Sequence, residues 1–486
     1  MTGHEPRATK YETVIGLEVH LQLKTGTKVF CGCSTKFGQR PNSQTCPVCL
    51  GLPGSLPVLN GEAFHSAVKV ALALNCTIQS LIKFDRKNYY YPDLPKNFQI
   101  SQYDMPLSYD GFVDIFSEAD KARKRIRIKR VHLEEDAGKL IHAPEDNCSF
   151  VDYNRTGMPL LEIVTEPDIG TPQEAYDYLT RLKAILEYLR VSDCDMEKGS
   201  LRCDANISVR RSGEKKLGTK VELKNMNTFK GVKVGLEYET KRQVSLVEDA
   251  QVIRQETRLW DADKAITSSM RTKEEAMDYR YFPEPDLVPF TVDTAVIDRI
   301  RASLPELPEA KANRFMKDFG LSEYDANVIT GQLELADYFE ACAARYDNRK
   351  TIANWIMGDI TAYLNTADLS IHDMKVTPDG LIGLLKMIDS GKISGKMAKE
   401  VMVEAIGTGD APADIVAKKG LAQISDSARL EEVVRAVIAR NVKSASDYKG
   451  GKKAALAHLV GQVMKETKGA ANPAMVNDIL KKNLGE

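Results

Sequence analysis

Val14 to Leu23 alternates apolar and polar residues without a break. Read as a strand of period two, it places Ile15, Leu17, Val19, Leu21 and Leu23 on one face and Gly16, Glu18, His20 and Gln22 on the other. The first face has to sit on a core. The second carries a carboxylate and an imidazole about 6.6–7 Å apart along the strand, close enough to share one divalent cation directly or through water. A lone strand of this kind is most often the solvated face of an antiparallel sheet. Its recurrence downstream argues otherwise.

Four later segments repeat the pattern. Leu160 to Val164 sets Glu162 between apolar residues of both parities, a buried charge that is costly without a cation or hydrogen bonds. Arg202, Asp204, Asn206 and Ser208 share a face opposite Cys203, Ala205, Ile207 and Val209, and Lys220, Glu222 and Lys224 oppose Val221 and Leu223. Ile126 to Asp136 ends in Glu134-Glu135-Asp136, but its alternation breaks near Arg130, and parity alone leaves open which glutamate faces inward.

Glu18, His20, one of Glu134 or Glu135, Glu162, Asp204 and Glu222 would thus supply ligands from five strands. On one shared sheet face they would suit Mg2+ or Mn2+ held against nucleotide phosphates, with Arg202 and Lys224 neutralising phosphate oxygens and Asn206 beside them. The chain contains no G-x-x-x-x-G-K-[ST] loop, so any nucleotide chemistry needs such a sheet-borne site in place of a P-loop.

Cys31-Gly-Cys33 and Cys46-Pro-Val-Cys49 put four thiols in a short stretch. The second pair is a C-x-x-C knuckle; the first is one residue tighter. Four thiolates closing a tetrahedral shell leave no open position, so the expected role is structural zinc. Cys76, Cys148, Cys194, Cys203 and Cys342 are scattered and read as core filler. With a polar stretch from Met1 to Lys10 and no apolar run near the ~20 residues that cross a bilayer, the chain is expected in a reducing, cytoplasmic setting, away from membranes. Its net charge of −1 provides no bulk field for nucleic acid, so such binding would rest on local patches.

The chain's 486 residues suggest about three domains. Residues 1–298 read as α+β on a largely antiparallel sheet, with helices expected over Ala63–Leu74, Pro172–Leu189 (capped by Thr171) and Tyr238–Ala250. From Leu304-Pro-Glu-Leu-Pro308 onward helical periodicity dominates: Leu307–Phe319, Ser322–Gly331, Leu333–Tyr346 and Ile352–Leu364 in an all-α region over 299–406. Ile406 to Pro412 is Gly/Ala/Pro-rich and reads as a flexible linker. A small helical tail over 411–486 follows, with Leu456, Leu459, Val460, Val463 and Met464 on one stripe and Asn472-Pro473 starting a last helix.

Two segments mix charge with aromatics or helices. Phe84 to Gln99 interleaves tyrosines with cations and amides, residues that stack on bases and hold phosphates, or else form a Tyr-rich strand and a Pro turn. The run from Lys121 to Arg130 is the more ordinary solvated strand face. In the tail, Lys452, Lys453, Lys465 and Lys468, with Lys449, Lys481 and Lys482, offer a positive face to an RNA backbone.

Five motifs then carry a family resemblance: Glu12-Thr-Val-Ile-Gly-Leu-Glu-Val-His20, Phe84-Asp-Arg-Lys-Asn-Tyr-Tyr-Tyr-Pro-Asp93, Leu161-Glu-Ile-Val-Thr-Glu-Pro-Asp168, Gly199-Ser-Leu-Arg-Cys-Asp-Ala-Asn206 and Asp278-Tyr-Arg-Tyr-Phe-Pro-Glu-Pro-Asp286. Over essentially its whole length the chain resembles the GatB family, the B subunits of tRNA-dependent amidotransferases, with a YqeY-like tail. The resemblance implies an ATP- and Mg2+-dependent ligase that phosphorylates the side-chain carboxylate of Glu-tRNA(Gln) or Asp-tRNA(Asn). Ammonia released from glutamine by a partner amidase (the A chain of the heterotrimer), with a small C chain as third partner, then displaces the phosphate. It also implies a metal and ATP site at Glu18, His20, Glu135, Glu162, Asp204 and Glu222, choosing Glu135 over Glu134, and a tail that touches tRNA. Some members lack the four cysteines, so zinc rests on this chain's own residues. No Ser-Ser-Lys amidase signature is present, as expected if the glutaminase resides elsewhere. Two other readings compete. A non-catalytic zinc-bearing tRNA-binding scaffold leaves the buried Glu162 without a purpose. A ligase acting on a free small substrate would not notice removal of the tail from about residue 411, whereas a tRNA-directed enzyme would lose tRNA affinity.

Overall fold

The structure is a computed structural model that describes residues 10–117, 121–143, 148–272, 279–421, 427–467 and 471–485. The chain divides into two compact units between Leu307 and Pro308.

In the first unit nine strands form one sheet, in the order β14 (Ile266–Thr272), β13 (Glu256–Asp261), β12 (Val221–Lys224), β11 (Leu201–Arg211), β1 (Tyr11–Gln22), β10 (Pro159–Thr165), β7 (Ala122–Glu135), β6 (Ser108–Ser117) and β2 (Thr77–Ile78). Neighbours run antiparallel except β12 and β13. Three small sheets flank it: β15 (Phe282–Pro283), β4 (Asp85–Asn88) and β5 (Phe98–Ser101); β16 (Phe290–Thr291) with β3 (Leu81–Ile82); β8 (Lys139–Ala143) with β9 (Cys148–Asp152).

The alternation of β1 decides which face is covered. Ile15, Leu17, Val19 and Leu21 are at most 1% exposed. They lie in one hydrophobic cluster with Tyr178, Leu179, Leu182 and Leu186 of α3 (Pro172–Tyr188) and with Val232 and Leu236 of α4 (Phe229–Glu248). Burying side chains of this size is worth about 1.5–3 kcal/mol each, enough to fix the register, since a one-residue slip would turn the whole set outward. Helices α1 (Pro47–Leu50), α2 (Gly61–Ala73) and α5 (Thr294–Ala302) complete the unit.

Helix α3 starts where the sequence says. Thr171 Oγ1 accepts from the Glu174 backbone N–H at 3.1 Å and Pro172 opens the first turn. Helix α4 begins well before the expected Tyr238, because Thr228 caps it by accepting from Gly231 N–H at 2.9 Å. The basic run of β7 is a solvated strand face, with Arg123, Arg125, Arg127 and Lys129 exposed, and three of its cations make structural pairs. Lys124 reaches the buried Glu174 at 2.7 Å, and Arg125 and Arg127 form forked pairs with Asp114 and Asp168.

The second unit is helical, with α6 (Pro308–Phe319), α7 (Glu323–Thr330), α8 (Leu333–Ala343), α9 (Arg349–Trp355), α10 (Thr361–Ala367), α11 (Pro378–Asp389), α12 (Gly395–Thr408) and α13 (Pro412–Lys418). The single helix expected over Ile352–Leu364 is two, joined by a π-helical turn at Ile356–Ile360 that keeps Ile352, Ile356 and Ile360 all fully buried. The linker expected at Ile406–Pro412 is a helix corner instead. Gly409 (φ +84°) ends α12, and α13 packs on α11 and α12 with Ile415 and Val416 buried.

The last helices, α14 (Ser427–Arg440), α15 (Val442–Lys449), α16 (Ala454–Glu466) and α17 (Pro473–Leu484), enclose a cluster of their own. Leu459 and Val463 of the stripe are its fully buried centre, and Leu456, Val460 and Met464 pack around them.

Candidate functional site

Because β11, β1, β10 and β7 are antiparallel neighbours, residues facing one another across them share a face. Arg202 lies opposite His20, His20 opposite Glu162, and Glu162 opposite His132, so four strands contribute one polar row. Along the strands, Asp204 and Glu18 form the adjacent row, with Asn206 opposite Glu222 beyond it. Glu134, opposite Leu160, lies on the other side. The acidic segments share the sheet face opposite the α3 and α4 core.

Contacts split this face into three groups. At its centre His132 Nε2 lies 3.1 Å from Glu162 Oε2 and 3.3 Å from Glu134 Oε2, while His20 Nε2 is 3.9 Å from Glu162. Ligand atoms of His20, Glu134 and Glu162 all fall within 4.8 Å of one another, a spacing that one divalent ion can bridge. On one flank Asn206 Nδ2 donates to Glu18 at 2.9 Å, and Lys224 joins Asp204 to Glu222, which accepts from Thr257 Oγ1 at 2.7 Å. On the other flank Arg202 donates to Asp136 at 2.9 Å and Gln22 to the same carboxylate at 2.7 Å.

The central charges hold one another. Burial alone would discharge His132, but Glu162 and Glu134 push it up to about 9. Burial likewise opposes ionisation of Glu162 and Glu134, and His132 overrides it, so both carboxyls sit below their ordinary range. His132, Glu134 and Glu162 thus favour one another's charged forms in a site where burial alone would oppose them. With His20 beside them, the two carboxylates converge closely enough to hold a divalent cation.

Glu135, expected on this face, is elsewhere. Its Oε1 accepts from the Ile100 backbone N–H at 2.9 Å and pairs with the buried Lys96, beside the cysteine loop. Glu134 takes the place, fixed by Ser101 Oγ at 2.8 Å. The cause is the irregularity between β10 and β7 near Val164 and Thr165, which shifts the parity of β7. Beyond it Val131 and Leu133 are the core-facing residues, so His132 and Glu134 are the polar-face ones. That signal is in the sequence, in the break near Arg130. Restarting the parity from Val131 and Leu133 picks out both Glu134 and His132, which the acidic pattern alone misses.

The cysteine loop holds its own cluster. Sulfur atoms of Cys31, Cys33, Cys46 and Cys49 lie within 4.8 Å of one another, and Cys46 and Cys49 are 3.8 Å apart. A tetrahedral ion with ~2.3 Å bonds puts its sulfurs about 3.8 Å apart. Cys49 accepts from the Cys46 backbone N–H at 3.1 Å, and the fully buried Lys28 ammonium lies 3.8 Å away. The Cys31 thiol's hydrogen bond, then Cys46 N–H and Lys28, hold Cys49 down at about 5 against the pull of burial. Gly157, at φ +81°, closes over Cys49 and Lys28 where an L side chain would be strained. The residues fit a four-thiolate metal.

Comparison with known proteins bears on both sites. The GatB/GatE catalytic domain matches residues 13–298, and a second GatB domain matches residues 337–484. The chain belongs to the GatB/GatE family. Its relatives span its length. A protein of Thermoanaerobacter sp. (strain X514) is 57% identical over 98% of this chain and 100% of its own. One from Carboxydothermus hydrogenoformans is 55% identical over 98% and 99%, and one from Geotalea daltonii 53% over the same shares. All three are named as the B subunit of aspartyl/glutamyl-tRNA(Asn/Gln) amidotransferase. The α+β sheet domain followed by helices is what a GatB chain is expected to show, and family membership implies use of ATP. No helix among the described residues is long and apolar enough to cross a membrane. The tail lysines Lys452, Lys453 and Lys465 are exposed, Lys452 pairing with Asp447 at 3.1 Å, while Lys468 lies outside the described residues.

Proposed function

We propose that this chain is the carboxylate-activating member of a glutamine-dependent tRNA amidotransferase, a carbon–nitrogen ligase working in translation in the cytoplasm. Its substrates are Glu-tRNA(Gln), Asp-tRNA(Asn) or both. Its partners are the amidase A chain, which is the glutaminase, and the small C chain of a heterotrimer. The observation that carries this reading is the convergence of His20, Glu134 and Glu162 from three neighbouring strands.

The chemistry follows from a weakness of the substrate. A carboxylate cannot expel oxide, whereas an acyl phosphate expels phosphate readily. A carboxylate oxygen attacks the γ-phosphorus of ATP, ADP leaves, and ammonia from the amidase replaces the phosphate. Glu134, Glu162 and His20 would hold Mg2+ or Mn2+, which would supply positive charge against the negative charge developing on the phosphates in transfer. His132 fixes the two carboxylates at 3.1 and 3.3 Å. Glu18, Asp204 and Glu222 line the nucleotide side of the face, where Asn206 and Lys224 orient them, and Arg202 is held by Asp136 on the opposite flank. Zinc is the ion we assign to the cysteine cluster, in a structural role. The scaffold reading fits less well, since a face built of carboxylates repels phosphate unless a cation is present.

The test supplies the chain, co-expressed with its amidase and small partner chains, with Glu-tRNA(Gln), Mg-ATP and ammonium but no glutamine. ATP-dependent Gln-tRNA formation is expected. If no product forms while tRNA still binds, the chain is a scaffold.

Lys452, Lys453, Lys465 and Lys468 of the tail are proposed to touch the tRNA backbone. Removing the chain from Ser427, so that α13 stays on α11 and α12, should weaken tRNA binding about 10- to 100-fold at moderate salt and flatten its salt dependence. Filter binding across a salt series checks this, and an unchanged affinity and slope would remove the tail from the tRNA site.

A further inference from the structure

The Phe84–Gln99 segment, whose aromatics and cations stand out in the sequence, meets the Tyr279–Pro283 stretch beside the central carboxylates. Strands β4 and β15 pair, Asn88 N–H donates to Tyr279 O at 2.9 Å, and together they build a box of tyrosines. Lys87 Nζ stands 4.7 Å from the Tyr279 ring centroid and 5.7 Å from that of Tyr89. Tyr281 meets Tyr279 edge-on at 6.1 Å, and Tyr103 stacks on Tyr281 at 4.3 Å.

Four neighbouring cations are in contact with carboxylates: Arg86 with Glu284, Lys96 with Glu135, Arg202 with Asp136, Lys224 with Asp204. Lys87 differs. Among the described residues, its ammonium has ring faces as close neighbours and no ion pair. Its charge is balanced through space, chiefly by Glu134, and those interactions raise its pKa in spite of burial. Glu162 feels the same ammonium. Strand β5, paired to β4, fixes this geometry from the other side through Ser101 Oγ to Glu134 at 2.8 Å. Ring faces hold an ammonium for about 0.5–2 kcal/mol without neutralising it, which leaves it free to meet an anion.

We propose that Lys87 is a catalytic cation of the phosphoryl-transfer step, presented by its tyrosine box to the oxygens of the transferring phosphoryl group above Glu134 and Glu162. This rests on the kinase-type reading of the sheet face. A carboxylate oxygen of the tRNA-borne glutamate forms its bond to the γ-phosphorus as the bond from that phosphorus to the β,γ-bridging oxygen breaks, and ADP departs with the electron pair. Lys87 keeps its proton throughout. Its positive charge stands against the negative charge on the equatorial oxygens, which the two nearby carboxylates would otherwise repel.

The test measures single-turnover ADP formation by the assembled complex with Glu-tRNA(Gln) and Mg-ATP, without ammonium, for the wild type, Lys87→Met and Lys87→Arg. Filter binding of tRNA and the affinity for a non-hydrolysable ATP analogue are measured alongside. Lys87→Met is expected to slow ADP formation about 100- to 1,000-fold, the usual cost of one transition-state donor, with tRNA affinity within about threefold. Lys87→Arg, which keeps the charge, is expected to recover at least tenfold of that loss. Unchanged ADP formation in Lys87→Met, with only a higher ammonium requirement in the full reaction, would place Lys87 in ammonia handling and overturn the proposal. Equal loss in both variants, or loss of tRNA binding as well, would make Lys87 a structural residue and overturn it too. If wild-type enzyme forms no ADP in response to Glu-tRNA(Gln), it is the reading of the sheet face that fails.

Discussion

Glu162→Gln is expected to lower ATP-dependent Gln-tRNA formation about 1,000-fold while leaving tRNA affinity within about twofold, an effect in the range of lost transition-state electrostatics. Glutamine is nearly isosteric and still accepts one hydrogen bond from His132 Nε2, so β10 keeps its place between β1 and β7. What is lost is charge. Glu162 is the hub of the central group, facing His132 at 3.1 Å and His20 at 3.9 Å, and without its carboxylate the ion loses its most central ligand. Steady-state turnover with filter-measured tRNA binding checks this. Turnover within threefold of wild type would mean that the reaction takes place elsewhere.

The second large effect concerns the cysteine loop. Structural zinc sites contribute about 10–16 kcal/mol of apparent binding free energy, which is folding free energy for the segment they hold. That segment here has little else: α1 is a single turn, and Leu52, Leu56 and Val58 are exposed. Cys49→Ser should release one bound zinc per chain, seen by elemental analysis, and lower the melting temperature of the first unit. The loss would spread, because Lys28 leans on Cys49 and also donates to Gln44 O at 2.7 Å. A protein that purifies without metal and tolerates the substitution would refute the assignment.

The sheet face was legible because period two is rigid: once Leu17 and Val19 are committed to the core, Glu18 and His20 have no choice of side. Glu162 was legible for the opposite reason, a charge in a segment too apolar to be exposed. The choice between Glu134 and Glu135 stayed open at one irregular position, because the break near Arg130 has to be followed by a new count from the apolar Val131 and Leu133. Asp136 was passed over for a similar reason. It closes the strand, and its partners Arg202 and Gln22 come from strands distant in the chain. The Gly/Ala/Pro stretch after Ile406 misled because composition alone does not separate a linker from a helix cap followed by a Pro-initiated helix. The tyrosine box around Lys87 joins segments nearly two hundred residues apart, and no local pattern announces it.

The most direct measurement compares Glu134→Gln with Glu135→Gln in Mn2+ binding and in single-turnover ADP formation from Glu-tRNA(Gln) and ATP. If His20, Glu134 and Glu162 form the activating site, Glu134→Gln loses Mn2+ affinity and slows ADP formation by about 100-fold or more, whereas Glu135→Gln stays near wild type in both at temperatures where it is folded. The reverse pattern, with Glu135 essential and Glu134 dispensable, would contradict the sheet-face site as described and move the chemistry to the pocket beside Lys96 and the cysteine loop.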